Sequence, residues 1–194
     1  VGGKGPDQSG YDLLGVITGS EGLLGIVTEV TVRILRKPET ARALLLGFNS
    51  SEEGGNCVAR IIADGIIPGG LEMMDAPAIK ATEDFVHAGY PLDVEALLLV
   101  ELDGPKVEVD YLIERVGAIA KECGAVYSRI SESEDERLLF WSGRKNAFPA
   151  IGRISPDYIC MDGTIPRRRL AEVLTGMQVL SQRHGLRVAN VFHA

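Results

Sequence analysis

The side chains best suited to chemistry lie in separate stretches, and Arg144 stands in the first of them. Arg144 and Lys145 come near the end of a predicted helix, between Trp141 and Phe148. A guanidinium binds a carboxylate through two parallel hydrogen bonds, so Arg144 could hold a carboxylate ligand. A solvated pair of cations that compensates the helix dipole is the alternative, and position alone leaves both interpretations open.

His193 is the second candidate, because it closes an otherwise apolar predicted strand. A histidine there is either a hydrogen-bonded core residue or a ligand. No HxH, HxxxH or CxxC companion suggests a complete metal site. His87 and His184 stand at predicted helix ends and are typical of surface residues, and Arg167–Arg169 is either a solvated face or a contact for a partner.

A glycine-rich loop is the third candidate. Gly19, Gly22 and Gly25 follow a GxxGxxG spacing that leads into an apolar segment. A dinucleotide-binding turn has the spacing GxGxxG and opens a helix, so this loop is not one. The pattern fits a simple turn, or a backbone that approaches a flat or anionic ligand closely.

Composition limits the class of protein. The 194 residues include 45% hydrophobic residues and 23 glycines, which is typical of a globular domain and unlike a disordered or fibrous chain. The net charge of −7 argues against a nucleic-acid partner. No apolar run approaches the ~20 residues of a transmembrane helix, and no leader is recognisable.

Cysteines and chain ends add two expectations. Cys57, Cys123 and Cys160 are far apart and odd in number, which predicts buried reduced thiols in a cytoplasmic protein. The chain begins without Met in a glycine-rich stretch and stops just after an apolar run. We therefore expect a fragment of a longer protein.

The periodicities predict an α+β fold, an antiparallel sheet with helices packed on one face. Near the start we expect helical turns at residues 13–17, then a strand at 24–35. The later predicted strands are 41–48, 70–74, 95–102, 125–130, 158–162 and 186–193. The predicted helices are 51–65, 77–87, 106–123, 132–147 and 166–184, with a loop at 149–156.

Five stretches together resemble one family. Residues 12–32 are similar to the end of the FAD domain in flavoproteins of the vanillyl-alcohol-oxidase type. The other four resemble one branch, the flavin subunit of glycolate oxidases: 69–75 (GGLEMMD), 140–149 (FWSGRKNAFP), 157–167 (DYICMDGTIPR) and 187–194 (RVANVFHA). The resemblance implies that residues 1–37 end an FAD-binding domain. Residues 38–194 would then be most of a ferredoxin-like substrate-capping domain.

The resemblance also implies cofactor contacts. The family segment E-G-T-L-G-I-V lies along the FAD, and this chain has Leu23 where many relatives have Thr. The residues that match the FAD contacts are Gly19, Ser20, Glu21, Gly22, Gly25, Ile26 and Val27. His193 matches the first histidine of H-x-G-D-G-N-x-H, a motif for a divalent metal such as Zn, Fe or Mn. The rest of that motif, the base and any other catalytic residue would lie outside the fragment.

For the substrate, the resemblance implies that Arg144 grips the carboxylate of a 2-hydroxy acid. Relatives that act on a diacid carry Thr and Lys where this chain has Phe148 and Cys160, which favours a small monocarboxylate. The implied reaction is oxidation of glycolate to glyoxylate with hydride transfer to flavin. The alternatives are a D-lactate dehydrogenase or, for the isolated fragment, a non-catalytic docking module.

Partners follow from the same resemblance. It implies a flavin-binding and an iron–sulfur subunit, with Arg167–Arg169 as one place of contact. It also implies a cytoplasmic location or a peripheral one at the inner membrane through those subunits. We expect the fragment alone to be inactive and to bind FAD poorly.

Overall fold

A computed structural model provides the structure, which describes residues 10–194 and only the backbone of Arg167. The chain forms two compact units, Val1–Lys37 and Pro38–Ala194. None of the described helices is long and apolar enough to span a bilayer.

Within residues 10–37, the first unit forms one short helix, α1 (Leu13–Ile17), as predicted. Asp12 caps it by accepting a hydrogen bond of 2.9 Å from the amide of Gly15. The predicted strand at 24–35 is wrong, because the residues that follow α1 up to 38 form no strand. A strand needs a neighbour for its backbone groups, and no described strand pairs with this segment, so Val30 and Ile34 remain exposed.

The second unit is built on an antiparallel five-stranded sheet of order β4-β1-β3-β2-β5. The strands are β1 (Thr40–Phe48), β2 (Gly70–Asp75), β3 (Ala96–Gly104), β4 (Tyr127–Ile130) and β5 (Val191–His193). The first four have the 4-1-3-2 order of a ferredoxin-like fold, so the expected α+β class is confirmed.

Helices cover both faces of this sheet, whereas we expected them on one. Helices α2 (Ser51–Ala63), α4 (Lys106–Glu122) and α7 (Leu170–His184) pack around Leu44 and Leu98. On the other face, α3 (Ala76–Val86), α5 (Glu134–Lys145) and α6 (Ala147–Ile154) pack around Leu45 and Leu99. The central strands β1 and β3 are apolar on successive residues, and a sheet with two apolar faces needs a helix layer on each.

Three other predictions are wrong in the C-terminal third. The loop expected at 149–156 is mostly helix α6, which buries Ala147 and Ala150 and places Pro149 in its first turn. The strand expected at 158–162 is absent, and Ile159 is exposed. The last strand covers only Val191–His193 of the expected residues 186–193.

The three cysteines are free thiols, as the sequence predicts, but they are not all buried. Cys57 is buried, and burial next to Cys123 raises the pKa of its thiol to about 12. Cys160 is exposed, contrary to the expectation of a buried thiol, because it lies in the segment that forms no strand.

Candidate active site

Helix α5 carries the predicted carboxylate-binding residue across one face of the sheet. Ser133 caps the helix by accepting a bond of 3.1 Å from the amide of Glu136. Arg137, Trp141 and Arg144 follow at spacings of four and three, so they share one side of the helix. Arg137 and the Trp141 indole both donate to Glu101 on β3. Arg137 and Trp141 thus bind the central strand β3 on the same side of the helix as Arg144.

Glu72 on β2 is the group that receives Arg144. Its side chain is 9% exposed, and Oε2 accepts a bond of 3.0 Å from Arg144 Nε. Its other oxygen, Oε1, lies 2.7 Å from Nδ1 of His193. Glu72 and His193 are also direct partners in the β2–β5 register. One buried carboxylate therefore joins the two residues that the sequence singled out for substrate and metal.

Sequence reasoning missed Glu72, although a signal was present. It is the one acidic residue inside the apolar stretch from Gly70 to Met74. A carboxylate in a buried strand must be paired with cations or hydrogen-bond donors, so a buried glutamate points to partners elsewhere. The identity of those partners depends on the register of β5 and the placement of α5, which only the structure shows.

His193 is a surface residue, with 86% of its side chain exposed. A carboxylate only accepts hydrogen bonds, so Nδ1 carries a proton, and in the neutral ring Nε2 presents its lone pair. This carboxylate–histidine arrangement is common among metal ligands. Among residues 10–194, however, no group of three histidine, cysteine, aspartate or glutamate side chains could hold a metal ion.

Strand β5 reaches this position through Asp75. The Asp75 carboxylate accepts 2.9 and 2.8 Å bonds from the backbone and side-chain amides of Asn190, and it also caps α3 through Ala78. Burial raises the pKa of Asp75 to about 6 despite these donors. Asp75 thus docks the segment that ends in His193.

Close packing at Gly143 sets how near α5 comes to Tyr90 in the segment between α3 and β3. The buried Tyr90 hydroxyl donates a bond of 2.5 Å to the carbonyl of Phe140. A Cβ at Gly143 would lie 2.3 Å from the Tyr90 hydroxyl oxygen, which a rigid buried ring cannot relieve. Only glycine allows this approach, and Arg144 is the next residue along the helix.

The other candidates stand on elements other than β2, α5 and β5. Phe148 is on α6 and packs edge-to-face on Tyr158 at 5.6 Å, while Cys160 is exposed in the following loop. His87 and His184 are at helix ends, as predicted. Arg169 pairs with Glu172 at 2.5 Å at the start of α7, which offsets its unfavourable position near a helix N-terminus.

The glycine loop lies in the first unit, and its backbone is open. Gly19 and Gly22 have φ of 78° and 80°, and nothing lies within 4 Å of where a Cβ would stand. A shallow depression of about 500 Å³ is lined by Val16, Thr18, Gly19, Ser20, Glu21, Leu23 and Leu24. Open glycine backbone thus lies beside exposed apolar side chains in this loop.

Comparison with known protein families identifies the family of this chain. Residues 37–194 match the family of FAD linked oxidases, C-terminal domain. The chain belongs to this family. The resemblance drawn from the motifs is therefore confirmed, and the sheet described above is the fold of an FAD-linked oxidase C-terminal domain.

Relatives of this FAD-linked oxidase domain include named enzymes. A glycolate oxidase subunit GlcD from Escherichia coli K12 is 61% identical over 97% of the chain and 38% of that protein. One from Bacillus subtilis is 36% identical over the whole chain and 42% of that protein. A D-lactate dehydrogenase from Anaerostipes hadrus is 29% identical over 96% of the chain and 41% of that protein. The chain thus spans about two fifths of these relatives.

A solved structure shares the fold. An alkyldihydroxyacetonephosphate synthase superposes with a TM-score of 0.62 over 90% of the chain and 38% of that protein, at 18% identity. Identity this low supports the shared fold of the domain.

Replacing Gly143 by Ala tests the packing that places Arg144. We expect the free energy of unfolding to fall by about 1–3 kcal/mol, because the new methyl group collides with the buried Tyr90 ring. Gly176→Ala in α7 is the matched control, since nothing lies within 4 Å of its Cβ position. The control should gain about 0.5–1 kcal/mol from helix propensity. Equal effects of both substitutions in urea unfolding would contradict the packing argument.

The pKa of Asp75 predicts a pH dependence. The folded-state pKa of about 6 exceeds the ordinary 3.8, so the folded protein binds this proton more tightly than the unfolded chain. This contribution is fully present below about pH 4 and is lost as the pH rises through about 6. Relative to Asp75→Asn, the wild type should lose about 2–3 kcal/mol of unfolding free energy between pH 4 and 7. A difference that is constant with pH would refute the assignment.

Proposed function

We propose that this chain is the substrate-capping part of an FAD-dependent oxidoreductase that oxidises glycolate to glyoxylate. The observation that carries the proposal is the joint placement of Arg144 and His193 on the Glu72 carboxylate. A 2-hydroxy acid has a carboxylate and a hydroxyl on neighbouring carbons. A guanidinium and an imidazole held by one carboxylate offer a partner for each. The 61% identity to a glycolate oxidase subunit supports the same substrate.

Arg144 binds the substrate carboxylate in this proposal. Its bond with Glu72 uses Nε, and in the described part of the chain the two terminal nitrogens make no hydrogen bond. A fork of two N–H donors suits a carboxylate. The Arg144 side chain is 17% exposed, so an ion pair there is less screened than at the open surface.

The glycine loop would hold the flavin. Gly19, Gly22 and Gly25 keep the backbone open on one side, and Ile26 offers an exposed apolar side chain. A bound flavin would supply the acceptor for the hydride that leaves the substrate carbon. In this proposal residues 1–37 form the end of an FAD-binding domain. The loop residues of this segment would contact the flavin and orient it.

His193 would supply one ligand to a divalent metal. Its Nε2 lone pair points away from the Glu72 bond, as in histidines that bind metals. Because the described residues offer no group of three ligands, further ligands must come from elsewhere in the assembled enzyme. A divalent metal would polarise the substrate hydroxyl.

Other subunits are part of the proposal, because the E. coli and B. subtilis relatives are named subunits of a glycolate oxidase. We extend this to a flavin-binding and an iron–sulfur partner.

D-lactate is the second candidate substrate, favoured by the relative from A. hadrus. Steady-state kinetics of the complete enzyme with each acid separates them. We expect kcat/KM to be higher for glycolate, and a preference for D-lactate would refute the substrate assignment.

Arg144→Ala in the complete enzyme tests the carboxylate clamp. We expect KM for glycolate to rise about 10- to 100-fold, because charge-assisted hydrogen bonds of about 1.5–3 kcal/mol are lost. Lys145→Ala is the matched control, since Lys145 is the adjacent cation and is exposed. Steady-state kinetics in which both variants behave alike would remove Arg144 from the substrate site.

Gly22→Ala tests the flavin loop. A φ of 80° disfavours any side chain, and the methyl group would occupy the open space beside the backbone. We expect a lower ratio of flavin to protein absorbance in the purified complete enzyme. Gly163→Ala, where φ is ordinary and space is open, is the control. Full flavin content in Gly22→Ala would contradict this role of the loop.

A further inference from the structure

We propose that Glu72 is the positioning residue of this site: one carboxylate fixes both the direction of the Arg144 guanidinium and the tautomer of the His193 imidazole. The inference rests on the proposed function for its catalytic meaning. Its geometric content stands on the contacts of Glu72 alone. Glu72 touches neither substrate nor cofactor and acts through the two residues that it holds.

The two oxygens of Glu72 have separate tasks. Oε2 accepts from Arg144 Nε at 3.0 Å, and Oε1 accepts from His193 Nδ1 at 2.7 Å. The Glu72 side chain is 9% exposed and is held by a central strand pair, where it lies opposite Leu99 on β3. The carboxylate is thus largely shielded from solvent, and the backbone that carries it is fixed in the sheet.

The contact with Nε selects one end of the guanidinium. When Glu72 occupies Nε, the terminal nitrogens of Arg144 stay available for another carboxylate. A lysine could make only a point contact and would leave no such fork. Glu72 therefore orients Arg144 without consuming its capacity to bind a ligand.

The contact with Nδ1 selects the less common tautomer of histidine. Free neutral imidazole in a peptide prefers the proton on Nε2, whereas a carboxylate acceptor at Nδ1 draws the proton there. Nε2 is then a lone-pair donor on an exposed ring. In this state His193 can bind a metal or accept a proton, which the other tautomer cannot do at Nε2.

Glu72→Gln keeps the shape of the side chain but changes the hydrogen bond that it offers to His193. The amide has the same shape as the carboxylate, and its oxygen can still accept from Arg144 Nε. Its NH₂ group then faces His193 Nδ1 and requires that nitrogen to be the acceptor. The substitution should move the His193 proton to Nε2 while leaving Arg144 in place.

Nitrogen-15 NMR of the histidine-labelled 194-residue chain reads this directly. The measurement is made at about pH 8.5, two units above the ordinary pKa of an imidazole. We expect His193 of the wild type to be mainly protonated on Nδ1 and His193 of Glu72→Gln mainly on Nε2. His87 and His184 serve as internal references. Wild-type His193 protonated on Nε2, or no change in the variant, overturns the proposal.

Kinetics of the complete enzyme give the second readout. Glu72→Gln should lower kcat about 10- to 100-fold, as is typical for the partner of a ligating histidine, and change KM for glycolate less than about twofold. Glu101→Gln is the control, because Glu101 holds the same helix through Trp141 and Arg137. A loss of kcat equal to that of the control would reduce Glu72 to a structural residue and overturn the proposal. If the tautomer of His193 changes as expected but the complete enzyme does not oxidise glycolate, the proposed function is refuted and the positioning role of Glu72 stands.

Discussion

Burial of the Glu72 carboxylate is the constraint on which the candidate site depends. A carboxylate taken out of water must be matched by donors on both oxygens, and Glu72 finds them in Arg144 and His193. These partners come from a helix and an edge strand that are 72 and 121 residues away along the chain. Satisfying one buried charge therefore requires that helix α5 and strand β5 both reach their places on β2.

The surrounding structure secures those places. Asp75 holds Asn190 and so docks β5 at the far end of β2, while Gly143 lets α5 approach the Tyr90 ring. Glu101 ties Trp141 and Arg137 on the same helix face. The two apolar layers of the sheet carry most of the stability, and these polar contacts give the elements their registration.

Much of the fold follows from periodicity, and its failures have physical causes. The strands and helices from β1 to α5 are predicted because their apolar patterns and caps are local. Residues 24–35 and 158–162 have strand-like patterns but no described partner, and periodicity cannot supply one. The continuous apolar runs of β1 and β3 do indicate a second helix layer, which alternation alone does not. Arg144 and His193 were identifiable by motif resemblance, whereas Glu72 as their link depends on long-range register.

The most direct test of this account is a double-mutant cycle between Glu72 and Arg144. Glu72→Leu and Arg144→Leu are made singly and together, and the free energy of unfolding of each variant is measured in urea at neutral pH. Removing Arg144 leaves the buried Glu72 carboxylate with His193 as its partner, and removing Glu72 leaves the half-buried Arg144 unpaired. Each single variant should therefore lose at most about 3–5 kcal/mol, and the double variant should lose clearly less than the sum of the two losses. Additivity within about 0.5 kcal/mol would show that the pair is not coupled and would contradict the central role of Glu72.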